Sequence, residues 1–474
     1  MWWPTTMTLS EFLNWLCIVQ LISGVMSVDT SSLQALLSPG ARIDSDASQS
    51  PRWSEYKAPR PGSVVHPATE EDVQITVKWA INRSVPFLVQ NGGNGWATTF
   101  KLDQTGILIH LDQLRSVTFN SNNTQATVEG GALISDVVAA AAAHSALVLT
   151  GTCNCVGALG AMLGGGFSNL MGQYGLAVDN FVSLNLVKPN GEAVTVTPRN
   201  AGLWWALRGA GPNFGVVTSA VLKAYPVPAS RLSAWTGPLV FQPAQLEPVV
   251  RAIQNLTLAP EMALSLNFIN QAGSPIILTT VFYHGTEDTG RAAFKSLFDI
   301  GPIADSTAVQ PYAAWNDGSN GPCVKGGRRP NWGVGLASMD PGSWRDVYDV
   351  WAELIKWPSA ENSSVLMNLL PTDKARSLPD SSSAYPFRST VKMFAVFGAF
   401  YRDPAFDATA VSYGQRARRL WQATDGLAQH STYINNAFGD ESLQTIYGNS
   451  LERLRQLKEQ IDPEGRFNEW FPLS

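Results

Sequence analysis

Val73, Val77, Ala80 and Ile81 recur at helical spacing, and Thr69-Glu70-Glu71-Asp72 ahead of them has the form of a capping box. A helix is expected there, followed by a short β-like run at Pro86-Phe87-Leu88-Val89. Ile107 to Leu111, Val117 to Phe119 and Ala126 to Val128 read as strands joined by tight turns, one of them at Asn122-Asn123. Ile134 to Ala143 is an Ala-rich helix. Phe181 to Lys188 and Ala193 to Thr197 form a hairpin around Pro189-Asn190-Gly191. Gly215-Val216-Val217-Thr218 closes this region before a Pro226-Val227-Pro228 linker.

Beyond Ser230 the pattern changes. Apolar strands at Ala263 to Ile269, Ile276 to Tyr283 and Val391 to Tyr401 alternate with helices at Gly290 to Phe298 and Ser343 to Ile355. One sheet with helices on one face is expected, its other face left to roof a ligand. Pro/Gly/Ser-rich stretches at 301–335 and 358–390 read as rim loops, and Ser442 to Lys458 as a final amphipathic helix.

Two glycine-rich loops punctuate the first half, Gln90-Asn91-Gly92-Gly93-Asn94-Gly95 and Gly151-Thr152-Cys153-Asn154-Cys155-Val156-Gly157, each preceded by a β-like run. Glycine leaves no Cβ in the way and permits positive φ, so backbone N–H groups can converge on an anion. Two such loops suit a large phosphate-bearing cofactor. No Gly-x-Gly-x-x-Gly opens a helix after the first strand, which excludes a dinucleotide-binding Rossmann fingerprint.

The chain has 474 residues, 45% hydrophobic and 15% charged, with 16 Trp, enough for two cores and an apolar ligand site. A net charge of −5 gives no reason to expect nucleic acid. Phe12 to Met26 is apolar but too short and too broken to span a membrane, so residues 1–27 are expected to be a signal peptide and no integral membrane domain is expected. Loss of that segment removes Cys17 and leaves Cys153, Cys155 and Cys323, an odd set unlike a disulfide scaffold. The spacing of Cys153 and Cys155 lacks a second His/Cys pair, so no metal site is expected.

Several ordered blocks together carry a resemblance. They are Val89-Gln90-Asn91-Gly92-Gly93, Gly151-Thr152-Cys153, Gly164-Gly165-Gly166-Phe167, Gly172-Gln173-Tyr174-Gly175, Leu203 to Gly211, Asn213 to Thr218, Tyr447-Gly448-Asn449 and Asp462 to Phe467. In them the chain resembles the vanillyl-alcohol-oxidase/p-cresol-methylhydroxylase flavoproteins, most nearly the berberine-bridge-enzyme-like branch. The resemblance implies an α+β fold: a two-part FAD-binding domain (56–228), then an α+β substrate domain with an antiparallel sheet (229–430), then a C-terminal segment (431–474) returning to the first domain. It implies FAD, held at Asn91, Gly92, Gly93, Asn94, Gly95, Gly151, Cys153, Gly157, Gly165, Gly166, Tyr174, Gly175, Asn180, Gly215, Val217, Tyr447 and Asn449. The first loop would hold the pyrophosphate by backbone N–H groups rather than by Lys or Arg.

The chain also departs from that family. Asn94 stands where the family carries a His bonded to the flavin 8α-methyl, and a carboxamide cannot form that bond. Cys153 falls on the position of a second link, a thioether at flavin C6; it is either a sole anchor or a small buried residue, and non-covalent FAD is expected. Cys155 is a rival anchor or an inert neighbour. Ser377 stands where the branch has a catalytic Glu, Phe387 takes a His slot, and Asn436 replaces a Tyr that serves some members as base. Tyr433, Tyr401 and Asp380 remain as candidate catalytic residues, with Tyr283 a further phenol; His284 reads as a surface or cap residue. Phe268, Phe282, Phe394 and Phe397 would wall the substrate site, about half of them by strand alternation.

The implied function is an FAD-dependent oxidase of a bulky apolar molecule. Hydride would pass to flavin N5, with O2 as the second substrate, in specialised metabolism. The alternative is a flavin-containing cyclase or isomerase without net oxidation.

Overall fold

A computed structural model of the chain describes residues 28–473; the expected signal peptide, 1–27, lies outside them. Four strands, β1 (Arg42–Asp44), β2 (Ser63–His66), β3 (Phe87–Gln90) and β4 (Ile107–His110), form the first sheet in the order β1-β2-β4-β3. The last three are parallel. Helix α1 (Glu70–Asn82) crosses from β2 to β3. Thr69 Oγ1 accepts from the Asp72 N–H at 3.1 Å and the Asp72 carboxylate accepts from the Thr69 N–H at 2.9 Å, so the expected capping box is present. Its stripe, Val73, Val77 and Ala80, is fully buried with Ile107 and Ile109 of the first sheet and Val187 and Val216 of the second.

That second sheet is antiparallel: β5 (Val117–Phe119), β6 (Gln125–Glu129), β7 (Phe181–Val187), β8 (Ala193–Val196) and β9 (Val216–Lys223), ordered β5-β6-β9-β7-β8. The third sheet has eight strands. Its main members are β10 (Ser233–Phe241), β11 (Met262–Gln271), β12 (Ser274–Tyr283), β13 (Asn331–Leu336), β14 (Ser364–Leu369) and β15 (Met393–Gly398). They run β10-β12-β11-β14-β15-β13, each pair antiparallel.

Helices α2 (Pro341–Leu354) and α3 (Asp407–Gln422) cover one face of this sheet. Phe268 lies under α2 with its ring centroid 5.2 to 5.9 Å from those of Trp344, Tyr348 and Trp351. Burying a side chain of this size stabilises the fold by roughly 1.5–3 kcal/mol.

Alternation decides which expected cavity walls are walls. Phe268 and Phe397 point to the helices and are fully buried there. Phe282 points the other way but packs on Trp315, at 5.0 Å. Phe394 alone of the four reaches the ligand cavity.

Two expected rim loops contain strands of the sheet. Asn331–Leu336 and Ser364–Leu369 are short apolar runs between Pro/Gly/Ser stretches, and pairing with β15 on either side makes them β13 and β14. The expected final helix is broken. Gly448 has φ +46 and separates Leu443–Tyr447 from Leu451–Ile461, with a 3-10 turn between them.

Candidate active site

The first glycine loop leaves β3 at Gln90 and is tied down at once. The Asn91 carboxamide donates to Gly130 O at 2.6 Å and Ala132 O at 3.1 Å, fastening the loop to the second sheet. A Cβ on Gly157 would lie 2.6 Å from that same carboxamide, and one on Gly92 would lie 2.7 Å from the Gly157 nitrogen. Glycine is therefore required at both places for the two loops to touch. In the orientation that satisfies both ends of its side chain, Asn94 donates to Gly92 O (3.0 Å) and Cys155 O (3.1 Å), stitching one loop to the other.

A cavity of about 420 Å³ runs along this junction. Phe87, Leu111, Val217 and Phe467 line its apolar end between the first two sheets. The glycine loops form its middle. Phe167, Asn368, Phe394 and Tyr433 close its other end, beneath the third sheet.

Of the residues expected at the cofactor, Asn91, Gly92, Gly93, Asn94, Gly95, Gly151, Gly157, Gly215 and Val217 line the cavity. Gly165 and Gly166 pass behind Tyr433 instead, and the Gly166 N–H donates to the Tyr433 hydroxyl at 3.1 Å. Tyr174 stacks on Tyr225 at 3.9 Å, and the Asn180 carboxamide accepts from the Tyr225 hydroxyl. Gly175, with φ +82, ends the short helix that carries Tyr174. These three lie outside the cavity wall. Tyr447 is buried behind it, accepting from Asn213 at 3.0 Å and donating to Phe471 O at 3.0 Å, while Asn449 is exposed.

Cys153 also stays off the wall. Its sulfur lies 3.6 Å from Cys155 Sγ and 3.7 Å from Ser319 O, and burial pushes its thiol pKa up. Cys155 is neither a flavin anchor nor an inert neighbour: it forms a disulfide with Cys323, 168 residues away. Sequence spacing cannot reveal a pair that only the fold brings together. The bond pins the 319–327 loop of the third-sheet region to the second glycine loop.

The catalytic candidates separate. Tyr433 lines the cavity, but its hydroxyl accepts from Gly166 N–H and Asn435 Nδ2 (2.6 Å) and donates to Ala161 O (3.2 Å). Burial pushes its pKa up to about 12, so the phenol is protonated at neutral pH. Tyr401 does not line the cavity; it donates to Asp407 at 2.7 Å, beside Arg328. Asp380 accepts from Ser389 Oγ on a loop outside the cavity. Tyr283 pairs within the third sheet, away from the wall. His284 is not a surface residue but 1% exposed, donating from Nε2 to Arg231 O at 2.9 Å, and burial lowers its pKa.

Sequence reasoning missed Arg52, Trp96, Asn368 and Glu469 on the wall. Arg52 and Trp96 flank the first glycine loop without belonging to its motif. Asn368 sits on a strand that reads as a loop. Glu469 follows Phe467 in the C-terminal segment, and burial, its largest influence, raises its pKa although it accepts from the Lys101 N–H.

The residues fit FAD. The cavity has an apolar end, a middle of glycine backbone whose two loops a Cβ would force apart, and an aromatic end. The buried Trp96 Nε1 has no hydrogen-bond partner among the described residues. A fold of two α+β halves around such a cleft, roofed by an antiparallel sheet, defines an FAD-dependent oxidoreductase of the p-cresol-methylhydroxylase type.

Comparison with known proteins agrees. A family model described as "FAD binding domain" matches residues 61–197, and one described as "Berberine and berberine like" matches 432–470. The FAD-linked oxidoreductase hasG of Aspergillus fumigatus is 33% identical over 435 residues, covering 87% of this chain and 92% of that one. Among solved structures, BBE-like 1 of Physcomitrella patens superimposes with a TM-score of 0.82 at 19% identity, over 94% of this chain and 100% of that one. Xylooligosaccharide oxidase of Myceliophthora thermophila, solved with xylobiose, gives a TM-score of 0.78 at 21% identity, over 90% and 94%. The chain belongs to the berberine-bridge-enzyme-like FAD-linked oxidoreductases. It is an enzyme, its cofactor is FAD, and its substrate is a small molecule.

Proposed function

We propose that the enzyme is an oxidase of a bulky, uncharged, apolar small molecule of specialised metabolism, with O2 as electron acceptor and H2O2 as the second product. The observation that carries this reading is the composition of the cavity end beneath the third sheet. Phe167, Phe394 and Tyr433 supply its apolar surface, and Asn368 and Asn436 supply neutral polar groups. Among the described lining residues the charged side chains are Arg52 and Glu469, which belong to the glycine-loop and C-terminal walls.

Bound FAD supplies a two-electron hydride acceptor that O2 can reoxidise. The protein's part is to orient the donor and exclude water. Tyr433 is protonated and fully hydrogen-bonded, and Tyr401 and Asp380 stand outside the cavity, so none of the three serves as a strong base. An alcohol, or a C–H beside a conjugated system, then suits the site, because either yields hydride without prior removal of a carbon-bound proton by a strong base. A sugar of the kind bound by the Myceliophthora enzyme fits this aromatic end less well.

The same lack of a base supports a second reading, a cyclase or isomerase that uses FAD without net oxidation. Polycyclic aromatic alcohols, with xylobiose as the polar comparison, separate the readings. An oxidase bleaches its flavin absorbance without oxygen and releases H2O2 in air. Product formed with neither signal supports the second reading, and turnover of xylobiose alone overturns the apolar substrate class.

The proposal includes entry into the secretory pathway with loss of residues 1–27. The Cys155–Cys323 disulfide supports it, since such bonds persist in oxidising compartments. A chain from the native host that still starts at Met1 and sits in the cytosol would overturn it.

A further inference from the structure

The backbone of the first glycine loop does not act alone. Arg52, 38 residues before Gln90, lies half-buried on the cavity wall against that loop. Its Nη1 donates to Gln90 Oε1 at 2.9 Å and its Nη2 to Gly95 O at 2.6 Å, while the guanidinium lies 4.8 Å over the Phe100 ring. Both acceptors are neutral. Among the described residues no carboxylate comes within ion-pair distance of it, whereas Arg328, Arg345 and Arg388 each have one.

A second cation stands close by. The Gly326 N–H donates to Arg52 O at 3.2 Å, which sets the neighbouring Lys325, exposed and off the cavity wall, beside Arg52. The Cys155–Cys323 bond holds this loop in place. Asp112 acts on Lys325 from a distance and Glu469 is held by Lys101 N–H, so neither pairs with Arg52. A half-buried guanidinium without a protein anion is costly unless a ligand supplies the anion.

We propose that Arg52, reinforced by Lys325, is the cationic half of a binding site for the cofactor's diphosphate, with the glycine-loop N–H groups as the neutral half. The assignment rests on FAD being the cofactor. It replaces the expectation that the diphosphate is held by backbone alone.

The test is fluorescence titration of the full chain, stripped of flavin, with FAD and with riboflavin, which has no phosphate. A charge-assisted hydrogen bond sets the scale: Arg52→Met weakens FAD binding by about 10- to 100-fold and changes riboflavin binding by less than about twofold. Arg52→Lys recovers most of the loss, Lys325→Met gives a smaller loss for FAD only, and added salt weakens FAD binding less in Arg52→Met than in the unaltered chain. Equal weakening of FAD and riboflavin would show that Arg52 only props the loop, and unchanged FAD binding would show no role; either overturns the proposal. A natural chain that binds neither flavin would instead overturn the cofactor assignment on which it rests.

Discussion

Arg388 grips Asp179 with both terminal nitrogens, at 2.9 and 3.0 Å, across a sequence separation of 209 residues. The guanidinium is fully buried and also donates to Ala375 O and Ser383 Oγ. Asp179 ends the turn after Gly175, and Arg388 ends the segment carrying Tyr385 and Phe387. The pair therefore joins the second sheet's region to the roof over the cavity.

Removing one partner leaves the other charge buried and unmatched. Asp179→Ala is expected to cost about 3–5 kcal/mol, against near neutrality for a surface pair such as Lys295 and Asp299. Urea denaturation of holoprotein checks this; a midpoint within error of the natural chain would show that the fork carries no such energy.

Acid precipitation should release the flavin into the supernatant. The Asn94 carboxamide is turned back onto Gly92 O and Cys155 O, and Cys153 packs on the disulfide with its thiol pKa raised by burial. Neither is placed to attack the flavin as a nucleophile. A yellow pellet that becomes colourless in Cys153→Ala would instead show a thioether.

The sulfur assignment is open to direct mapping. After unfolding without reductant, iodoacetamide should label Cys153, and proteolysis should recover Cys155 and Cys323 as one linked peptide pair. Cys323→Ser should lower stability by on the order of 2–4 kcal/mol, because the bond closes a long loop. Recovery of Cys153 linked to Cys323 would contradict the pairing.

Acid sensitivity should trace to His110. Its Nε2 donates to Asn91 O and its Nδ1 accepts from Ser50 Oγ, so the ring is neutral. Burial first pushes its pKa down from 6.5 to about 4, with Asp112 opposing the shift. A depressed histidine pKa means the unfolded chain binds the proton more readily. The contribution is therefore complete above about pH 6.5 and is lost as pH falls toward 4. His110→Gln should flatten that fall in the urea midpoint between pH 7 and 4.5; an unchanged profile would assign it elsewhere.

The sequence by itself determined most local elements and the cofactor. The α1 capping box, the glycine loops and the ordered blocks are local patterns, and backbone conformation follows from residues a few positions apart. Period-two alternation also implied that only some of the four phenylalanines face the ligand, but not which, because the face is set by what each strand packs against. Asn331–Leu336 and Ser364–Leu369 became strands only through pairing with β15. Tyr433 kept its place at the site, and the tertiary structure put Ala161, Gly166 and Asn435 around its hydroxyl. Tyr401 and Asp380 left the site altogether. Cys155 found Cys323, and Arg52 reached the glycine loop, through contacts between distant segments. Those depend on how the sheets stack, and so only the tertiary structure decided them.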